Sequence, residues 1–195
     1  MSSLSMTVAR EPRRYQVNAT LGMVVFIASW SMAFATLFLS FLVLRHREPV
    51  WPPAGVALPS LPLASLATGV LLASSVVLHR AVRAGRNDDR RFPALWGWAT
   101  ALAVAFAALQ GWLWVAVWSA GTRPDTNMYS GLFYTLTWFH AAHVACGLVA
   151  LLWIQVGALR GRIGPLRISP ASSVALFWHF VDAVWLLLFL SFFVF

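Results

Sequence analysis

The chain contains no lysine: all fourteen of its basic residues are arginines. It has a single cysteine, Cys146, and only six acidic residues among 195. One thiol rules out an internal disulfide and a binuclear copper centre built on a cysteine pair. No Cys-x-x-Cys-His run is present to attach haem. The scarcity of acids argues against a proton path carried by this chain alone, because such a path needs titratable groups strung across the bilayer. Nucleophile chemistry is poorly served too. Ser29, Ser65 and Ser74 have no base nearby in sequence, and Cys146 lies in an apolar run. What the chain has in abundance is apolar surface: 60% of its residues are hydrophobic and 10% charged, which is membrane composition. The net charge of +8 does not point to nucleic acid, since the arginines sit in short connections between apolar runs, where membrane topology accounts for them.

A membrane span needs about 20 apolar residues, and five segments qualify. They run from about Leu21 to Leu44, Pro59 to Leu78, Pro93 to Trp118, Tyr129 to Leu152 and Ala171 to Phe195. Residues 1–20 form a polar lead-in without signal-peptide layout, because the hydrophobic run after them is too long for a cleaved segment. The expected architecture is therefore all-α: residues 21–195 form a bundle of five transmembrane helices. Between the first two spans, Trp51-Pro52-Pro53-Ala54-Gly55 forbids helix and offers an indole to the bilayer interface. Two spans carry small residues at four-residue spacing, Ser65-Gly69-Ala73 and Ala103-Ala107-Gly111, faces that let another helix approach closely.

Orientation follows from the arginines. One side collects Arg10, Arg13 and Arg14, then Arg80, Arg83, Arg86, Arg90 and Arg91, then Arg160, Arg162 and Arg167. The other side has Arg45, Arg47 and Arg123. Eleven against three places the N-terminus in the cytoplasm and the C-terminus on the periplasmic side. Arg80, Arg83 and Arg160 are the candidates for contact with lipid headgroups.

The polar residues inside the spans are few. Asp182 is the one acid within a span, with His179 three residues earlier on the same helical face and Trp178 and Trp185 flanking the pair one heptad apart. A carboxylate at that depth costs about 2.5–3.5 kcal/mol or more unless it faces protein or water. The pair is read first as a packing and hydrogen-bonding anchor and second as a site of direct chemistry. His140 and His143 share a face of the fourth span, and Gln110 is a buried amide candidate in the third. With His179 the two histidines make a three-histidine metal site geometrically open. The alternative is structural, with each imidazole bonding a carbonyl, hydroxyl or carboxylate across the bundle. No metal ligand set and no catalytic residue is assigned.

Two motifs carry a family resemblance. Tyr129-x3-Phe133-x3-Thr137-x-Phe139-His140-x2-His143-Val144-x2-Gly147 and Trp178-His179-Phe180-Val181-Asp182-x2-Trp185 resemble subunit III of the haem-copper oxidases, in the short five-span bacterial form. Trp51-Pro52-Pro53, Phe26-Ile27-Ala28-Ser29 and Gln110 are weaker matches. The chain departs from the family where glutamates are usual: Trp30, Leu113 and Ser172 stand there instead. The resemblance implies a non-catalytic subunit in a bacterial plasma membrane that binds no haem or copper itself. Its expected partners are the catalytic subunit I, which with subunit II would hold haem and copper, further small subunits or a respiratory supercomplex, and phospholipid in a cleft. The complex would reduce dioxygen to water and translocate protons. His140, His143, His179 and Asp182 carry over as buried structural polar residues, with Gln110, and with Trp178, Trp185 and Gly147 at packing contacts. A quinol oxidase or nitric oxide reductase with the same subunit is the near alternative. A small His/Asp-based metal or proton transporter is the alternative of another class.

Overall fold

The computed structural model of the chain describes residues 2–53, 56, 59–163 and 168–194, with side chains from Leu21 to Phe193. Ala54 and Gly55 of the first loop, Arg167 of the last connection and the terminal Phe195 lie outside the described residues. Five helices follow one another: α1 Ser2–Arg47, α2 Leu61–Arg86, α3 Phe92–Ser119, α4 Met128–Leu159 and α5 Ser169–Phe189, the last closing in a π-helical turn at Leu190–Val194. Among the described residues there is no strand. All five are long and apolar enough to cross a membrane.

Local chemistry sets the helix ends. Pro62, Pro93 and Pro170 sit in the first turns of α2, α3 and α5, where a missing N–H is no loss. Asn127 caps α4, its side-chain oxygen accepting from the Ser130 backbone N–H at 2.8 Å. Three C-termini close the same way, on a residue with positive φ: Asp88 (55°) after α2, Gly121 (90°) after α3 and Gly161 (65°) after α4. The following amide then reaches back into the last turn, from Asp89 to Ala84 (3.0 Å), Thr122 to Val117 (3.3 Å) and Arg162 to Gly157 (2.9 Å).

The helices overrun the apolar segments read from the sequence. α2 continues from Leu78 to Arg86, because alanine and arginine keep propagating a helix after the hydrophobic run ends, and α4 from Leu152 to Leu159, where Trp153, Ile154, Val156 and Leu159 prolong the apolar run itself. In α1 the hydroxyls of Ser29, Ser31, Thr36 and Ser40 all bond the carbonyl four residues earlier, at 2.8–3.0 Å. A hydroxyl satisfied within its own helix can face lipid at little cost.

α2, α3, α4 and α5 pack as a closed ring, each against the next, with α5 also touching α2. α1 lies outside the ring against α5 and α4. Accordingly 44% of the most apolar window of α5 is buried, against 11% of that of α1. One core cluster centres on Trp96, Leu151, Trp178 and Trp185, and reaches Phe92, Ala158 and Ala171 at the end carrying the α2–α3 and α4–α5 connections. A second, built on Phe41, Leu113, Tyr129, Phe133 and Phe192, fills the opposite end.

Among the described residues, no helix of this chain packs on the small-residue face of α2. Ser65, Gly69 and Ala73 are all exposed, and a Cβ added at Gly69 would meet nothing. The buried face is instead Ala64, Ala67, Leu71, Ser74, Leu78 and Ala81. Four-residue spacing identifies a stripe but not the side from which a neighbour arrives. On α3 Ala103 is buried, while Ala107 and Gly111 are half-buried.

Candidate functional site

The polar side chains inside the bundle meet mainly where α5 crosses α2. The Trp178 indole N–H donates to Ser74 Oγ at 3.0 Å, and that of Trp185 to Thr68 Oγ1 at 3.0 Å. The pairing runs in opposite chain directions, as antiparallel neighbours require. Thr68 in turn donates to the Ala64 carbonyl at 2.8 Å, so both ends of that chain are satisfied. Trp178 and Trp185 are fully buried, and neither is an interface anchor. Gly147 of α4 makes room for the first of them: a Cβ there would stand 2.8 Å from Trp178 Cε3.

His179 turns toward α2. Its Nδ1 hydrogen-bonds Ser75 Oγ, and its ring lies 6.5 Å from that of His79. Asp182 Oδ2 is 3.8 Å from the same nitrogen, an ion-pair distance too long for a hydrogen bond, and both Asp182 oxygens lack a hydrogen-bond partner. Asp182 is 4% exposed. The sequence motif thus yields one hydrogen bond across the bundle, from His179 to a serine, and a carboxylate that this chain leaves unpaired by hydrogen bonds.

The three histidines do not converge. His143 Nδ1 bonds the Phe139 carbonyl of its own helix at 2.7 Å, and its ring packs edge-on against Trp30 of α1 at 4.4 Å. His140 packs against Trp185 at 5.6 Å, with neither ring nitrogen hydrogen-bonded. The expectation that each imidazole bonds across the bundle therefore holds for His179 and fails for the other two. Among the described residues no group of three or more His, Cys, Asp or Glu side chains is placed to hold a metal. The three-histidine site is corrected for that reason: His143 lies against Trp30 and Phe34 of α1, His140 between Trp185 of α5 and the α3 side of the bundle, and His179 engages α2.

The three positions at which the resemblance leads one to expect glutamates have definite surroundings. Trp30 covers His143, Leu113 is buried among apolar side chains, and Ser172 accepts from Arg86 Nη2 at 3.5 Å. Ser172 lines a pocket of about 440 Å³ with His79, Arg83, Arg86 and His179. Arg80 and Arg160 are exposed at the same end of the bundle, and Gln110 is buried in α3 with both amide atoms unpartnered. Thr68, Ser75 and His79 were not singled out from sequence, and Ser74 was considered only as a nucleophile without a base. Their signal was weak, since hydroxyls abound in these helices and the partners lie more than a hundred residues away.

Comparison with known proteins decides what the bundle is. The sequence model of the family described as "Cytochrome c oxidase subunit III" matches residues 11–195. The chain belongs to the cytochrome c oxidase subunit III family. The chain is 33% identical over 170 residues to cytochrome c oxidase subunit 3 of Thermostichus vulcanus, covering 87% of this chain and 83% of that one. It is 32% identical over 176 residues to the protein of that name from a Bacillus species, covering 88% and 83%. A probable cytochrome c oxidase subunit 3 of Nocardia farcinica is 34% identical over 172 residues, covering 87% and 84%. The subunit III family is the accessory subunit of haem-copper oxidases, a part without redox centres of its own.

Proposed function

We propose that this chain is the subunit III of a bacterial plasma-membrane cytochrome c oxidase, where it binds the catalytic subunits I and II and stabilises them without taking part in electron transfer. The match of a subunit III family model to nearly the whole chain carries this reading. The geometry supports it: Trp178, Trp185 and His179 spend their polar atoms on hydrogen bonds that hold α5 to α2. His140, His143, His179, Asp182 and Gln110 act as structural polar residues, and Trp178, Trp185 and Gly147 as packing contacts. Haem and copper belong to the partners. The N-terminus is cytoplasmic and the C-terminus periplasmic, from the eleven-to-three distribution of arginines.

Phospholipid is the expected small partner. Arg80, Arg83 and Arg160 lie at the arginine-rich end, and Arg83 shares the 440 Å³ pocket with Arg86, His79 and His179, a setting that suits an anionic phosphate. An apolar groove of about 350 Å³ between α1 and α5, lined by Phe34, Phe38, Phe180 and Leu187, suits an acyl chain. Removing the chain from its host tests the function. The oxidase should keep its haem spectra while losing activity faster during turnover. A changed haem spectrum would assign this chain a place in the catalytic centre and contradict the reading.

A further inference from the structure

The exposed tryptophans of the chain all lie on one side of it. Trp98, Trp112 and Trp118 of α3 and Trp138 and Trp153 of α4 are 46–72% exposed. The other six of the eleven are buried or half-buried, including Trp30 of α1 and Trp178 and Trp185 of α5, and α2 has none. Yet α1, α2 and α5 present bare apolar surface as well, with Met32 73%, Leu66 57% and Leu187 44% exposed. The indoles therefore mark a choice between faces and not apolar exposure as such.

Two hydrogen bonds fix the register of α3 against α4. Trp96 Nε1 donates to the Leu151 carbonyl at 3.0 Å, and Gln155 Nε2 to the Pro93 carbonyl at 3.2 Å. The helices run antiparallel, so at about 1.5 Å per residue Trp98 and Trp153 stand within about 5 Å of one level, and Trp112 and Trp138 within about 4 Å of another. By the same rise the two levels are about 22 Å apart, and Trp118 lies about 11 Å beyond the second. Arg123 Cζ stands 5.8 Å from the Trp118 ring centroid. Between the two indoles of each helix, every exposed residue is alanine, valine, leucine or cysteine.

This layout is that of a membrane cross-section. Indoles settle at the two water interfaces of a bilayer. The hydrocarbon between them is about 30 Å thick, and each indole can reach along its helix toward the headgroups, which makes up the difference from about 22 Å. Trp118 and Arg123 then fall among the headgroups. A protein contact distributes its indoles differently, with the anchoring ones near the centre of the patch. Here the centre is alanine and valine, and the indoles stand at the two ends.

We propose that the α3–α4 face is the outer, lipid-facing rim of the assembled oxidase, held at its depth by two rows of indoles, and that the large subunit meets this chain on the side formed by α1, α2 and α5. The inference rests on the reading of the chain as an accessory subunit. That reading fails if the wild-type chain purifies without a large partner, whereas the inference fails if the partner co-purifies and covers α3 and α4.

The test uses the intact oxidase in its native membrane. A photo-crosslinking side chain is placed at Val104 or Val149, between the indole rows, and at Met32 of α1 or Val76 of α2 for comparison; all four positions are exposed in the chain alone. Illumination should give lipid adducts from 104 and 149, and an adduct with the large subunit from 32 or 76. The double variant Trp112→Leu, Trp153→Leu removes one indole from each row without touching the core, since these side chains are 72% and 64% exposed. Its retention in the complex should stay within about twofold of wild type, whereas indoles anchoring a protein contact would lower it about tenfold or more. A large-subunit adduct from 104 or 149, or a tenfold loss of retention in the double variant, would overturn the proposal.

Discussion

Gly147→Ala gives the sharpest test of how the helices are packed. The new methyl would stand 2.8 Å from Trp178 Cε3, 3.0 Å from Cζ3 and 3.5 Å from Phe177 Cε1. Ordinary carbon contacts begin near 3.5 Å, so the indole must retreat by about 0.7 Å. Trp178 is 0% exposed and has no free space to enter, and its N–H is tied to Ser74 at 3.0 Å. Overpacking of this kind costs about 1–3 kcal/mol, and weakening an interhelical hydrogen bond adds up to about 0.6–1.7 kcal/mol. Alanine's better helix propensity returns about 0.5–1 kcal/mol. The net expectation is a loss of about 2 kcal/mol, or about 4–8 °C in melting temperature for a chain of this size. Gly69→Ala and Gly111→Ala are the controls, since a Cβ at either position meets nothing. They should be neutral or slightly stabilising in thermal melts of the purified chain. Because Gly147 and Ser74 act through the same indole, adding Ser74→Ala to Gly147→Ala should cost less than Ser74→Ala in the wild type. A Gly147→Ala protein as stable as wild type, or strict additivity with Ser74→Ala, would refute the packing argument.

Thr68→Val keeps the shape of the side chain but leaves the Trp185 N–H without its acceptor, so it should cost about 0.6–1.7 kcal/mol. Wild-type melting behaviour would show that the bond contributes nothing. Asp182→Asn should preserve assembly better than Asp182→Leu, because it keeps hydrogen-bonding capacity and removes a charge held at 3.8 Å from His179. Equal loss of assembly in both would mean that the charge itself is needed. Single cysteines at Arg86 and Arg123, in a Cys146→Ser background, should react with a membrane-impermeant thiol reagent in intact cells only at position 123. Labelling at 86 would reverse the topology.

Much of this architecture was legible in the sequence. Hydropathy alone placed all five helices, since a bilayer imposes a length that ordinary cores do not. The motif around His140, His143 and Gly147, with that around Trp178 and Asp182, identified the family. The contacts were less legible. His140, His143 and His179 looked equivalent as intramembrane imidazoles, yet only His179 faces a hydroxyl of another helix. The difference lies in how α4 and α5 rotate against α1 and α2, which periodicity within one helix does not encode. For the same reason the sequence does not say that Ser65-Gly69-Ala73 is left uncovered by the chain's other helices. Trp30 stands where the resemblance leads one to expect a glutamate, and only the fold shows what the indole does there: it packs against the His143 ring at 4.4 Å.

The most direct measurement is purification of the tagged chain in mild detergent, with mass spectrometry and a reduced-minus-oxidised spectrum of what accompanies it. An accessory subunit III predicts a large multi-span partner and haem bands in the same fraction. A chain that emerges alone, stable and carrying stoichiometric metal would contradict the account.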